Sequence, residues 1–297
     1  MRTIPSILAG LPVPFKGATL SRIGGRLFGH PSREDLIFSN LGIDSHYKMT
    51  VPAENSLFAF GNPMAYYGER GVLYLSSLLG KHVDAVADIG ANWGYYTFFM
   101  RHFLTEGKPI FFFEPNEKLF DAIRQNIISN NLVNIHGIKK GIAAVSGKAS
   151  FFVNLTNDLS STLDKGFVRT TDELVEKTIE IISFDDFVEQ NKDFNKWLVK
   201  VDIENTESDF IKGAAKHMDS VEFLLIEFLE KARKEKLADL LTQQFGLNAY
   251  YINDFTLEFM DHEDGRYAPG EYNFLFCRHT PEALSSLVGG SRFTVVY

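Results

Sequence analysis

From Val83 onward the chain alternates short apolar runs with stretches of helical periodicity, and no other feature constrains the fold as strongly. Apolar runs bounded by Gly, Pro, Asn or Asp read as buried strands. A helix between two such runs returns the chain so that the strands pair in parallel through right-handed crossovers. The strands fall at Val83–Ile89, Ile110–Glu114, Asn134–Lys139, Leu198–Ile203, Val221–Phe228, Asn248–Ile252 and Tyr272–Cys277. Helical patterns fill Tyr66–Leu79, Tyr96–Leu104, Asn116–Asn130, Glu207–Met218 and Lys231–Phe245. Leu119, Ile123 and Ile127 share one helical stripe and Phe210, Ala214 and Met218 another, so each helix buries one side against a sheet. Thr206, with Asp209 three residues on, reads as a capping box that starts the Glu207 helix. The expected fold class is α/β: a doubly wound, Rossmann-like sheet of seven strands.

Two stretches stand outside this alternation. Residues 1–80, punctuated by Gly and Pro, read as an N-terminal extension on the substrate side, ending in a helix that leads into the core at 81–280. Ala149–Val153 and Lys177–Ile182 flank the polar segment Asn154–Glu176 and suggest a β-type insertion, while residues 281–297 read as a C-terminal tail. Additions of this kind supply substrate contacts, because function sits on loops held by a rigid scaffold.

Composition narrows the partners. Thirty Lys and Arg against thirty-eight Asp and Glu give a net charge of −8, and the basic run Glu230–Lys236 interleaves both signs as a solvated helix face does. Nucleic acid is not expected, since binding a phosphate backbone needs a concentrated basic surface. The single cysteine, Cys277, lies in an apolar run and reads as a buried thiol of a protein in a reducing, cytoplasmic compartment. Ile4–Phe15 is broken by Pro5, Pro12 and Pro14, so no membrane segment is expected there. A homo-oligomer is compatible with the sequence. The histidines lack zinc-binding spacing, so no metal is assigned, and neither a G-x-S-x-G elbow nor a Walker A loop occurs.

Four segments carry the chemistry. In Val86–Gly94 a buried strand runs into a turn with glycines at 90 and 94 and then into a helix, whose first N–H groups and positive dipole end would face a ligand. A dinucleotide fingerprint requires glycine at 92, where this chain has Asn92. The wider spacing suits S-adenosylmethionine (SAM), which has no phosphate and presents a zwitterionic amino acid whose ammonium Asp88 can hold. Phe111–Asn116 ends a second strand in Glu114, about 20 residues beyond the glycine turn, where such folds hydrogen-bond the ribose hydroxyls. In Leu198–Asn205, strand alternation puts Lys200, Asp202 and Glu204 on one face, with Asp202 and Glu204 at the ligand end as a general base, an ion pair or metal ligands. Phe223–Phe228 is closed by Glu227, so Asp88, Glu114, Glu204 and Glu227 are expected along one rim of the sheet.

Together these residues resemble the FkbM-type methyltransferase family. The resemblance rests on Asp88–Thr97, Phe113–Asn116, Asn126–Asn131, Lys200–Glu204 and Lys212–Ala214, and spans Glu69 to Cys277. It implies a SAM-dependent enzyme, O-methylation, and a sheet whose last strand is antiparallel. It also implies Glu69 near the SAM amino-acid end, Ile142 near the adenine, and Asn92, Thr97, Pro115 and Asn116 in the cofactor cradle. Asn205-Thr206 depart from the glycine-small pair the family carries after its D-x-E acids, which puts the acceptor in question. An NAD-dependent oxidoreductase and a SAM-binding module without catalysis remain as rival readings.

Overall fold

The computed structural model describes residues 36–38, 49–51, 70–105, 107–155, 161–167, 171–253, 255–260 and 272–296. Glu69 and the aromatic residues Tyr47, Phe58, Phe60, Tyr66 and Tyr67 of the extension lie outside them. The contacts define two units. One holds the antiparallel pair β1 (Leu36–Phe38) and β2 (Met49–Val51) together with residues 121–133; the other comprises residues 71–120 and Asn134 onward. The site described below lies in the second unit.

In chain order the elements are α1 (Arg70–Leu79), β3 (Ala85–Ile89), α2 (Tyr95–Phe103), β4 (Ile110–Phe113), α3 (Glu117–Ser129), β5 (Ile135–Ile138), β6 (Gly141–Ile142), β7 (Gly147–Asn154) and β8 (Leu174–Ile182). There follow α4 (Phe184–Gln190), β9 (Trp197–Val201), α5 (Glu207–Gly213), β10 (Val221–Phe228), α6 (Glu230–Lys234), α7 (Leu237–Phe245), β11 (Asn248–Asn253), β12 (Thr256–Phe259), β13 (Tyr272–Cys277), α8 (Pro281–Val288) and β14 (Thr294–Val296).

Among the described residues the main sheet has nine strands in the order β14-β12-β11-β13-β10-β9-β3-β4-β5. Strands β5, β4, β3, β9 and β10 run parallel, and β13 inserts antiparallel between β10 and β11. All seven expected strands are present, and the last is antiparallel as the resemblance implied. The additional strands β12 and β14 extend one edge, so part of the segment after residue 280 belongs to the sheet rather than to a separate tail. Cys277 is buried among them, and burial pushes its thiol up to about 12.

The hydrophobic pattern explains the layering. Every residue of β3, β4 and β9 is buried, as expected for parallel strands covered on both faces. Phe187 of α4 packs edge-on against Phe113 at 4.9 Å and lies 5.4 Å from Trp197, which locks α4 onto β4 and β9.

One helix ends earlier than periodicity suggests and another is interrupted. The helix expected over Glu207–Met218 stops at Gly213, where a Cβ would lie 2.3 Å from the Ala143 carbonyl oxygen, and the carboxylate of Asp185 then accepts the Lys216 and His217 N–H groups. Ala214 and Met218 stay buried although the helix has ended. The helix expected over Lys231–Phe245 divides into α6 and α7 at Lys236, which has φ +54°. Thr206 does not cap α5; its hydroxyl donates to the Ile203 carbonyl.

The expected insertion is present: β7 and β8 pair antiparallel, β6 pairs parallel with β8, and Thr162 bridges back to Phe152.

Candidate active site

Strand register builds the rim. Ile89, Phe113, Val201 and Ile226 form one row across β3, β4, β9 and β10. The next residue on each strand, Gly90, Glu114, Asp202 and Glu227, therefore lies at the carboxyl edge, where open α/β sheets bind ligands. Two expected rim residues sit elsewhere. Asp88 lies one row inside the sheet, opposite Lys200. Strand β9 ends at Val201, and Glu204 (φ +52°) and Asn205 (φ +79°) form a left-handed turn. Strand alternation accordingly does not reach Glu204, which belongs to a loop, not to the face shared by Lys200 and Asp202.

The glycine turn is packed against that loop. Gly90 has φ +81°, and a Cβ there would lie 1.8 Å from the Asp202 carbonyl oxygen, so β3 and the β9 loop meet backbone to backbone. The N–H groups expected to face a ligand are largely committed. Those of Gly90 and Ala91 donate to the Phe113 carbonyl, that of Asn92 to Glu114 Oε2, and that of Gly94 to the Ala91 carbonyl. The reason is geometric: Gly90, Asn92 and Gly94 all take positive φ, which folds the turn onto the end of β4.

Glu114 is buried. Its Oε2 accepts the Asn92 N–H at 2.9 Å and its Oε1 accepts the Asn116 N–H at 2.8 Å, so it ties the glycine turn to the start of α3. Each carboxylate oxygen keeps a second lone pair for another donor. Asn116, also buried, accepts the Lys118 N–H on Oδ1 and thereby caps α3. Pro115 between them is half-buried, and Ile142 is buried in the core cluster that also holds residues of β4 and β9.

Asp88 is fully buried. Its Oδ2 accepts the Thr97 hydroxyl at 2.6 Å, whereas Oδ1 has no hydrogen-bond partner among the described residues. Burial raises its carboxyl above the usual range, against the lowering pull of Lys200 and of Thr97. An orphaned buried acceptor costs about 1–3 kcal/mol, which a cationic donor arriving at Oδ1 would recover. The ammonium of SAM is such a donor, so the residues present fit that ligand. Lys200 Nζ lies 6.0 Å from the Tyr96 ring centroid and donates to Asp202 Oδ2 at 2.8 Å. Among the described residues no cluster of three or more His, Cys, Asp or Glu side chains could hold a metal ion. None of their helices is long and apolar enough to cross a membrane.

Sequence reasoning gave no role to Thr162 and Asp164 and read Lys231 as part of a solvated helix face, yet all three converge on the Glu204–Asn205 turn. These polar residues are spaced 42, 41 and 26 positions from their partners in the turn and carry no periodic signal that could have found them. Glu207 is buried beside the same turn and accepts the Asn205 N–H.

Burial pushes Glu207 up to about 7 and Glu114 up to about 8, from an ordinary value of 4.5. Below that ordinary value folded and unfolded chains are both protonated; above it the unfolded chain loses these protons first. The stability contributed by these two groups is therefore complete at low pH and is lost as pH rises through 7 and 8, at up to ~1.4 kcal/mol per pH unit for each. Thermal unfolding of the ligand-free protein should show its midpoint falling between pH 5 and pH 8, and Glu114→Gln should flatten the slope. A midpoint that rises across that interval contradicts the burial of these acids.

An α/β sheet with an antiparallel strand inserted between β10 and β11, a glycine turn after its first central strand and an acid closing the second fit the SAM-dependent methyltransferase class. Residues 88–263, more than half of the chain, match the Methyltransferase FkbM domain. The chain belongs to that family, and its cofactor is SAM. It is 26% identical over 176 residues to the hexuronic acid methyltransferase AglP of Haloferax volcanii, covering 59% of this chain and 69% of that protein. Similar solved structures include TYW2 of M. jannaschii in complex with AdoMet (TM-score 0.42, 12% identity, 83% of this chain and 85% of that one). Another is precorrin-6y C5,15-methyltransferase of Geobacter metallireducens (TM-score 0.41, 13% identity, 71% and 87%).

Proposed function

We propose that this protein methylates oxygen, transferring the methyl group of SAM to a hydroxyl on a sugar or another polar small molecule. The observation that carries the reading is the strand register, which sets Asp202 just past the end of β9, with its backbone carbonyl packed against the Gly90 turn and Glu204 in the loop that follows. SAM supplies a methyl group on a positively charged sulfonium, a good leaving group, so the chain's own task is to orient the acceptor and take its proton.

In this reading Asp88 Oδ1 receives the ammonium, and Glu114 turns its remaining lone pairs to the ribose hydroxyls. Asn92, Thr97, Pro115, Asn116 and Ile142 shape the cradle with the Gly90–Gly94 backbone. Lys200 engages Asp202 beside the cofactor, and Glu204 acts as the proton acceptor. Similarity to a hexuronic acid methyltransferase supports a sugar acceptor. The net charge of −8 argues against a phosphate backbone, and the lone buried cysteine suits a cytoplasmic setting. A second reading, SAM binding without turnover, is favoured by one feature, the Asn205-Thr206 departure from the family pattern.

The test is radiolabelled SAM offered with nucleotide sugars, free glycans including hexuronic-acid oligosaccharides, small phenols and tRNA. Label is expected on oxygen of a sugar-class acceptor. Label only in tRNA, or only on nitrogen, would overturn the reading, and SAM binding without transfer to any acceptor would favour the second.

A further inference from the structure

Glu204 and Asn205 are consecutive non-glycine residues in left-handed conformation, a state that persists only where the surroundings impose it. Beside the Glu207 carboxylate on the Asn205 N–H, four contacts hold the turn. The Thr162 hydroxyl donates to the Glu204 carbonyl at 2.6 Å, and the Asn205 amide donates to Asp164 Oδ2 at 2.8 Å. Lys231 Nζ donates to the same Asp164 oxygen at 2.8 Å and to the Asn205 carbonyl at 3.2 Å. Asp164 is organised for this by the Gly166 N–H on Oδ1, and its own N–H rests on the Thr162 hydroxyl.

Thr162 and Asp164 belong to the segment that follows β7, so the clasp joins the insertion to the end of β9 through α6. Each partner is specific. Asn tolerates left-handed backbone better than most residues, and its amide supplies the N–H donor that Asp164 takes. Lys231 neutralises the acid and is itself 39% exposed, whereas Thr162 is buried.

We propose that this clasp fixes residues 161–167 as the wall of the acceptor site, and that Asn205 is a positioning residue that sets acceptor affinity without touching SAM. The inference rests on the methyl-transfer reading, in which the Glu204 turn faces the acceptor. Asn205→Gly retains the left-handed backbone and removes only the amide.

The test combines hydrogen exchange with kinetics on the full chain. In Asn205→Gly, amides of residues 161–167 should exchange about tenfold faster, the scale of one lost hydrogen bond, with β3 and β9 unchanged. For a hexuronic-acid oligosaccharide, KM should rise about tenfold while kcat and the affinity for S-adenosylhomocysteine stay within about twofold. Asp164→Ala should raise KM similarly, and the double variant no further. Unchanged exchange in Asn205→Gly overturns the clasp even if no acceptor is found. Faster exchange with an unchanged KM, or an equal loss of S-adenosylhomocysteine affinity, overturns the positioning role. Failure of the wild type to methylate any acceptor would instead remove the methyl-transfer reading, while exchange still decides whether the clasp exists.

Discussion

Gly90→Ala should abolish cofactor binding. The added Cβ would lie 1.8 Å from the Asp202 carbonyl oxygen, a backbone atom that no rotamer change can move, at a residue with φ +81°. Left-handed backbone costs a non-glycine residue about 1–2 kcal/mol, and forcing a methyl group into a packed contact typically adds about 1–3 kcal/mol. Relief requires the end of β3 to separate from the β9 loop, which moves the cradle and the Asp202–Glu204 loop together. The affinity for S-adenosylhomocysteine, read by calorimetry, should fall by more than ~100-fold. Gly246→Ala is the control: φ there is +63°, yet nothing lies within 4 Å of the added Cβ, so only the backbone strain is shared. If Gly90→Ala keeps affinity within about threefold of wild type, the close approach of the two strands does not shape the cofactor site.

The fold was legible in the sequence wherever apolar runs were buried on both faces. Strands β10 and β13 coincide with their expected limits because nothing but the run of apolar residues determines them. Strands β12 and β14 escaped notice because they are short and only partly buried. Helix ends were misread where a distant residue intervenes: Asp185 captures the chain after Gly213 from about 30 positions away, and no local pattern announces it. At the candidate site, Asp88, Glu114 and Asp202 could be named from the sequence because each sits at or beside the end of a strand, the edge at which open α/β sheets bind ligands. The account of Glu204 failed in its geometry, since alternation was carried past Val201 into a turn. The clasp residues could not be found at all, because hydrogen bonds between loops follow from the folded chain and leave no spacing in the linear one.

The central claim is a division of labour, in which the glycine turn with Asp88 and Glu114 holds SAM while the Glu204 turn performs proton transfer at the acceptor. Glu204→Gln tests it most directly, because the amide preserves shape and polarity but cannot accept the acceptor's proton. The loop conformation is held through the Glu204 carbonyl by Thr162, so the exchange of side chain leaves that contact in place. The decisive measurement is turnover of radiolabelled SAM beside calorimetric titration of S-adenosylhomocysteine on the same preparation. The account predicts that kcat falls by ~100-fold or more, the usual range for a removed general base, with affinity within about threefold of wild type. Undiminished turnover, or a loss of affinity as large as the loss of turnover, would contradict it.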